Sequence, residues 1–384
     1  MPMSSLLVID DERAFGEFVV KVATQIGFNA TATDNAADFR RLLDETMPAI
    51  VVLDLQIPDV DGLELLHELG ERHCRAKIVL LSGADSRILD SAWRLGDELG
   101  LAMAPPIQKP IRAAALSQAL AALGNPSGEL TAASLAQAMS EDRLFLLYQP
   151  KVDVKTGRLV GVEALVRLRA DDGSVVPPDA FIPLAEQSDL IDRLTERVIG
   201  LAFPQAAAWH AQGLDLRVAV NLSAKNIHDR QLPGTLAAKC REAGVPPQSI
   251  TLELTETTFT ADGIILLEVL GRLRLKGFHL SIDDFGIGYS SIAQLLRLPF
   301  SELKVDQSFV TNLDRMRESR VVTKTIIDMA HNLGLSAVAE GVETEAVMRL
   351  LAEFGCDIAQ GYLFSKPVDA ERIQALAASS SKGA

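Results

Sequence analysis

The sequence has few of the residues that would mark a disulfide scaffold, a membrane protein or a nonspecific nucleic-acid binder. Its three cysteines, Cys74, Cys240 and Cys356, are scattered and form no CxxC pair, a usage that suits a reducing cytosol. No apolar run reaches membrane-spanning length, and Met1-Pro2-Met3-Ser4-Ser5 lacks a signal-peptide pattern. Basic residues are outnumbered, with 37 Lys and Arg against 51 Asp and Glu. The imbalance is even along the chain: 11 basic against 18 acidic residues up to Gly124, and 26 against 33 beyond it. Neither part has a basic face or tail for duplex binding, so no DNA partner is expected. An anionic substrate would need bound cations or local Arg and Lys. The reading is a soluble cytoplasmic protein without membrane insertion. Aromatics are few at 5%, but 48% of the residues are apolar. That is core material for two domains, or for one large barrel plus something small.

In the first part, apolar runs end in polar residues and alternate with helical patterns. Leu6-Leu7-Val8-Ile9 ends in Asp10-Asp11-Glu12, and a helical pattern then runs from Phe15 to Ile26. Ile50-Val51-Val52-Leu53 ends at Asp54, and Ile78-Val79-Leu80-Leu81 at Ser82-Gly83. Lys109-Pro110 precedes a last helix, Ile111 to Leu123. Such alternation predicts a doubly wound parallel sheet, with ligands at the carboxyl ends of its strands. Asp10, Asp11, Asp54, Ser82 and Lys109 then share one crevice. Asp10 and Asp11 can hold a Mg²⁺ beside Asp54, which can act as a nucleophile toward phosphorus. Ser82 and Lys109 can hydrogen-bond the phosphoryl oxygens.

With Leu53-Asp54-Leu55-Gln56-Ile57-Pro58-Asp59-Val60-Asp61-Gly62, residues 1–123 resemble the response-regulator receiver family, a flavodoxin-like fold. The resemblance implies phosphorylation of Asp54 by a sensor histidine kinase. Two departures stand out. The span from Ser82 to Lys109 is longer than usual near Gly96–Gly100, and Pro106 replaces the family's switch aromatic.

Gly124-Asn125-Pro126-Ser127-Gly128 marks a break, and residues 124–130 read as a linker. From 131 to 378 a short helix leads into a strand, Leu144 to Tyr148. Further strand signals follow at Leu159–Leu168, Leu216–Val220, Ile250–Leu254, Phe278–Ile282, Glu302–Val305, Ala337–Ala339 and Cys356–Ala359. Helical patterns separate most of them, as in a TIM-like (β/α) barrel with its site at the strands' C-terminal ends. Residues 379–384 read as a flexible tail.

The most telling stretch is Leu280-Ser281-Ile282-Asp283-Asp284-Phe285-Gly286-Ile287-Gly288. Two adjacent carboxylates at a strand's end can address two neighbouring metals, one of them bridging. The other strands add Glu163, Asn221, Glu253, Lys304 and Glu340. Oxygen donors without Cys or well-placed His favour Mg²⁺ or Mn²⁺ over zinc. Five converging carboxylates would repel one another, and two divalent cations remove that problem. Such a site activates a water for in-line displacement at a phosphodiester. Lys304 can orient that water, Glu340 can ligate a metal or accept a proton, and Arg167 offers a fork to a phosphate oxygen.

These residues sit in Glu163-Ala164-Leu165-Val166-Arg167, Asn221-Leu222-Ser223, Glu253-Leu254-Thr255-Glu256, Asp283-Asp284-Phe285-Gly286, Lys304-Val305-Asp306, Glu340-Gly341-Val342-Glu343 and Gln360-Gly361-Tyr362. In them residues 130–378 resemble the EAL family of cyclic-di-GMP phosphodiesterases. The resemblance implies that Glu163, Asn221, Glu253 and Asp283 hold one metal and that Asp283, Asp284 and Glu340 approach a second. It makes Glu256 a support for the loop after Asp284, a loop also used in dimer contacts. It places Gln149, Leu165, Arg167, Asp306, Glu343, Gln360, Gly361 and Pro367 around the dinucleotide. The implied product is linear pGpG, and the implied assembly is a dimer or larger homo-oligomer. Ile287 stands where the family usually has Thr. The rival reading is a degenerate module that binds cyclic di-GMP or docks a partner without turnover.

Overall fold

A computed structural model describes residues 5–58, 60–83, 86–109, 111–123, 130–255, 263–286 and 295–380. The chain divides into two compact units, Met1–Glu129 and Leu130–Ala384.

In the first unit the strands are β1 (Ser5–Ile9), β2 (Asn29–Thr33), β3 (Ile50–Asp54), β4 (Lys77–Ser82), β5 (Ala102–Met103) and β6 (Ile107–Gln108). All pair in parallel in the order β2-β1-β3-β4-β5, with β6 also on β4. Successive side chains of a strand face opposite ways, so each central strand feeds two cores. Leu7, Ile9, Val51 and Leu53 join one cluster, while Leu6, Val8, Ile50 and Val52 join the other. The sheet is doubly wound, as its alternating pattern predicts. The last edge strand is broken between β5 and β6, where Ala104-Pro105-Pro106 intervenes. Proline has no N–H to give the ladder, which accounts for the interruption. The Trp93 indole, on the helix Ser86–Glu98, donates to the Ala104 carbonyl at 2.8 Å across this gap.

The second unit contains β7 (Leu144–Asp153), β8 (Leu159–Arg169), β9 (Val175–Val176), β10 (Arg217–Leu222), β11 (Ile250–Thr255), β12 (His279–Phe285), β13 (Glu302–Val305), β14 (Ser336–Ala339) and β15 (Ile358–Gln360). Eight of them close into a barrel, in the order β7-β8-β10-β11-β12-β13-β14-β15 and back to β7, with β9 outside on β8. Six junctions are parallel, but β7 runs antiparallel to both β8 and β15. Five residues separate β7 from β8, too few for a crossover, so these two strands must form a hairpin.

The barrel packs against its helices through Val218, Leu252, Leu254, Leu280, Ile282 and Leu303, with Phe203 and Trp209 of the helix Ile191–Ala211 in the same core. Residues between these on the same strands face the interior, and there the chain places ions. Glu163, Glu253, Asp283, Glu302, Lys304 and Lys151 are all buried.

Several boundaries differ from the sequence reading; β7, for one, runs beyond Tyr148 to Asp153. The strand opened by Phe278 does not end at Ile282 but continues as β12 through the aspartate pair to Phe285. Its register against β13 shifts between Ile282 and Phe285, as in a bulge, and Asp284 takes a left-handed backbone with φ of 55°. The last helix, Ala370–Ser380, runs two residues into the segment expected to be a tail.

Candidate active site

At the carboxyl ends of β1 and β3, Asp10, Asp11 and Asp54 bring ligand oxygens within 4.8 Å of one another. The Lys109 ammonium donates to Asp10 Oδ2 at 2.7 Å and to Asp54 Oδ2 at 2.6 Å. Burial lowers the proton affinity of Lys109, but those two hydrogen bonds outweigh it and its pKa is raised. Burial raises the Asp10 pKa despite the lysine, and the nearby Asp54 pushes the same way. The Lys109 backbone N–H donates to the Ser82 carbonyl at 2.9 Å, which docks the lysine beside the end of β4. Asp11, Phe15, Asp54, Gln56 and Lys109 line one cleft. Of the five residues read from the sequence, Asp10, Asp11, Asp54 and Lys109 meet here through their side chains, and Ser82 adjoins them through its carbonyl. Phe15, whose ring lies 4.4 Å from the Lys109 ammonium, had no such signal.

The second site crowns the barrel. Glu163 comes from β8, Asn221 from β10, Glu253 from β11, Asp283 and Asp284 from β12, Lys304 from β13, and Glu340 directly follows β14. Two groups of acids have ligand oxygens within 4.8 Å of one another: Glu163, Glu253 and Asp283, and Asp283, Asp284 and Glu340. Asp283 belongs to both. The Lys304 ammonium, 1% exposed, lies 3.6 Å from Glu163, 3.1 Å from Glu253, 2.8 Å from Asp283 and 2.7 Å from Glu340. Asn221 sits at the exposed rim and donates from Nδ2 to Glu163 Oε1 at 2.9 Å.

Charge crowding leaves its mark on these groups. Burial raises Glu340 to about 8 against the pull of Lys304, and Glu253 to about 7 against Lys151 and Lys304. Burial and the adjacent Asp283 raise Asp284 to about 6. Glu163 goes the other way, to about 2: burial is overcome by Lys304 and Lys151 and by amide donors on Gln360 and Asn221. Lys304 is also buried, yet the surrounding acids hold its pKa well above the ordinary value. Cationic charge is thus favoured at the centre of the cluster. The donors around it are carboxylates and one amide, a set that suits a hard divalent cation. The residues fit such ions.

Around the acids, Gln360 Nε2 donates to Gln149 Oε1 at 2.9 Å and to Glu163 Oε2 at 2.7 Å, which ties β15, β7 and β8 together over the site. Leu165 and Arg167 share the Glu163 face of β8 by strand alternation, and β8 carries them toward the mouth. The Arg167 guanidinium donates to the Val166 carbonyl at 2.9 Å, and burial lowers its pKa despite the pull of Glu163. Gly361 is pressed against Val342, since a Cβ there would lie 2.2 Å from both the backbone N and O of Val342. The same glycine thereby holds the loop after Glu340.

Other expected contacts are less central. Asp306 is 4% exposed and caps the short helix Gln307–Val310, accepting from Ser308 N at 2.8 Å. Glu343 is exposed, and Pro367 is half-buried beside Val368, which pairs with Tyr148. Glu256 and Ile287 lie outside the described residues, as does most of the loop after Asp284. Two residues went unread in the sequence. Lys151 Nζ lies 2.6 Å from Glu253 Oε1 and 3.5 Å from Glu302 Oε1, all three buried inside the barrel. The available signal was spacing: Lys151 is two residues from Gln149 on the same strand and so shares its face.

Comparison with known proteins agrees with this geometry. The EAL domain family matches residues 132–367, and the response regulator receiver domain matches residues 6–121. The cyclic di-GMP phosphodiesterase RocR of Pseudomonas aeruginosa is 31% identical over 331 residues, covering 83% of this chain and 84% of that protein. The signaling protein YkoW of Bacillus subtilis is 39% identical over 241 residues, 62% of this chain but 30% of its own length. The chain thus spans about a third of the first curated relatives it matches. Among solved structures, the PaMucR phosphodiesterase in complex with c-di-GMP is 38% identical, with a TM-score of 0.60 over 63% of this chain and 98% of that one.

Proposed function

The chain belongs to the EAL domain family, with a response regulator receiver domain ahead of it, and on that premise we propose that it hydrolyses cyclic di-GMP to linear pGpG under control of phosphorylation at Asp54. The observation that carries this reading is the pair of acid clusters joined through Asp283. Glu163, Asn221, Glu253 and Asp283 would hold one divalent cation, and Asp283, Asp284 and Glu340 a second. When bound, the two cations neutralise phosphate charge and favour deprotonation of the attacking water.

The chain's own groups do the rest. Arg167 on β8 offers its guanidinium to a phosphate oxygen, and Gln149 and Gln360, already bonded to each other, meet the dinucleotide at the rim. Lys304, fixed by four carboxylates, orients the water toward phosphorus. Glu340 takes up the proton that the water releases. Water oxygen bonds to phosphorus, one ester P–O bond breaks, and the departing sugar oxygen is protonated, giving a linear dinucleotide. In the receiver, Asp54 accepts a phosphoryl group from a histidine kinase, while Lys109 and Ser82 hold its oxygens.

The test is to incubate the protein with cyclic di-GMP and Mg²⁺ or Mn²⁺ and to resolve the nucleotides over time. Steady appearance of pGpG is expected. Tight binding of cyclic di-GMP that returns it intact would make the barrel a sensor instead.

A further inference from the structure

A (β/α) barrel is ordinarily filled by layers of branched apolar side chains. Here part of the interior is a column of charged side chains, and two of them, Lys151 and Glu302, have no place in the scheme above. Lys151 enters from β7, the strand that runs against its neighbours, and is 4% exposed. Its ammonium is 2.6 Å from Glu253 Oε1, while Lys304 lies 3.1 Å from Oε2 of the same carboxylate. The two lysines differ in what else they touch. Lys304 is shared among Glu163, Glu253, Asp283 and Glu340, so it does not select an orientation for any one of them. Lys151 touches only Glu253 of those four, with Glu302 at 3.5 Å its other acid.

We propose that Lys151 is a positioning residue for the metal centre: by holding Glu253 Oε1 from within the barrel, it presents Oε2 to the cation. A glutamate's terminal torsion is broad and roughly two-fold, so a carboxylate without such a tether can turn either oxygen, or both, toward a cation. A charged hydrogen bond to one oxygen fixes the plane and leaves a single donor atom facing Glu163 and Asp283. The inference rests on the reading of Glu253 as a metal ligand.

The experiment is a calorimetric titration of Mn²⁺ into the full-length protein, in an Asp11→Asn background that disables the receiver cluster. Lys151→Met is compared with Glu302→Gln and with the double variant, and thermal unfolding checks the fold of each. Lys151→Met should weaken Mn²⁺ binding about 10–100-fold, as loss of a group that orients a ligand typically does. The Mn²⁺ concentration needed for half-maximal turnover should rise in step, with kcat at saturating Mn²⁺ little changed. Glu302→Gln should bind as the parent does, because Lys151 still holds Glu253. The double variant removes the acid that Lys151→Met strands, and it decides the matter if the single variant does not fold. Its affinity should stay at the weakened level. Parental affinity in Lys151→Met or in the double variant would overturn the proposal. If the parent itself takes up no Mn²⁺ at the barrel, the metal reading fails first and the role of Lys151 falls with it.

Discussion

Asp283 is the residue on which the barrel site turns, because among the described residues it alone belongs to both acid clusters. Asp283→Asn keeps the side chain's shape but removes the charge that two cations would share. Turnover should fall at least several hundred-fold, about 3–4 kcal/mol in the barrier, with the unfolding midpoint nearly unchanged. Near-normal hydrolysis by that variant at moderate Mg²⁺ would sink the two-cation assignment. Residues of this kind were legible because each stands in a short motif whose neighbours narrow its role. Asp283 has a second carboxylate and two glycines beside it, and Lys304 has Asp306. Lys151 and Glu302 were not legible, since a single charged residue in a strand reads as solvent-facing unless the strand is known to line a barrel. Phe15 was hidden in the same way: its spacing with Phe18 and Val22 reads as a helix's apolar stripe.

Among the elements, β12 and its bulge turn an aspartate pair into two differently placed ligands. In a regular strand Asp283 and Asp284 would point to opposite faces. The register shift and the left-handed backbone at Asp284 are what let both reach Glu340. A turn signal was present in the sequence, but the strand's continuation through it was not readable from alternation alone. The edge strand β2, Asn-Ala-Thr-Ala-Thr, carries no large apolar residue and so gave no strand signal, and β5 and β6 are two residues each. The reversal of β7 was within reach of the sequence, because its loop to β8 is too short for a crossover. Gly361 offers the element-scale test. An added Cβ has to displace Val342 and with it the loop after Glu340, so Gly361→Ala should cost about 1–3 kcal/mol of stability, read by denaturant unfolding. It should also slow turnover, whereas an alanine accommodated without loss of either would show that the close approach relaxes freely.

For the molecule as a whole, crowded acids set a pH dependence. Glu253, Asp284 and Glu340 are raised to about 7, 6 and 8, above their ordinary carboxyl values. The metal-free folded chain therefore binds more protons than the unfolded chain between about pH 5 and 8, and its stability should fall as pH rises through that window. His279, lowered by burial and by Arg217 and Arg274, works in the opposite sense below pH 6.5. Divalent cations displace those protons, so Mn²⁺ should raise the unfolding midpoint more at pH 8 than at pH 5. A Mn²⁺ effect independent of pH would contradict this. Acetyl phosphate should label the receiver, and Asp54→Asn should remove the label. Comparing turnover of phosphorylated, unphosphorylated and Asp54→Asn protein then reads the coupling between domains, with an expected size of about 1–3 kcal/mol, or 5–150-fold in rate. Equal rates in all three would leave the receiver without influence on the barrel.

The barrel's seam has a consequence for the order in which the protein is made. The first barrel strand, β7, finds one neighbour at once in β8, but its other edge waits for β15, and Tyr148 waits for Val368. On the ribosome the barrel therefore stays an open sheet until β15 has emerged, whereas the receiver's sheet is complete once β6 is out. A chain stopped after Phe354 would leave β7 and β14 each with an unpaired edge. Such a product should collect in the insoluble fraction when expressed, while one stopped after Leu123 should remain in the supernatant.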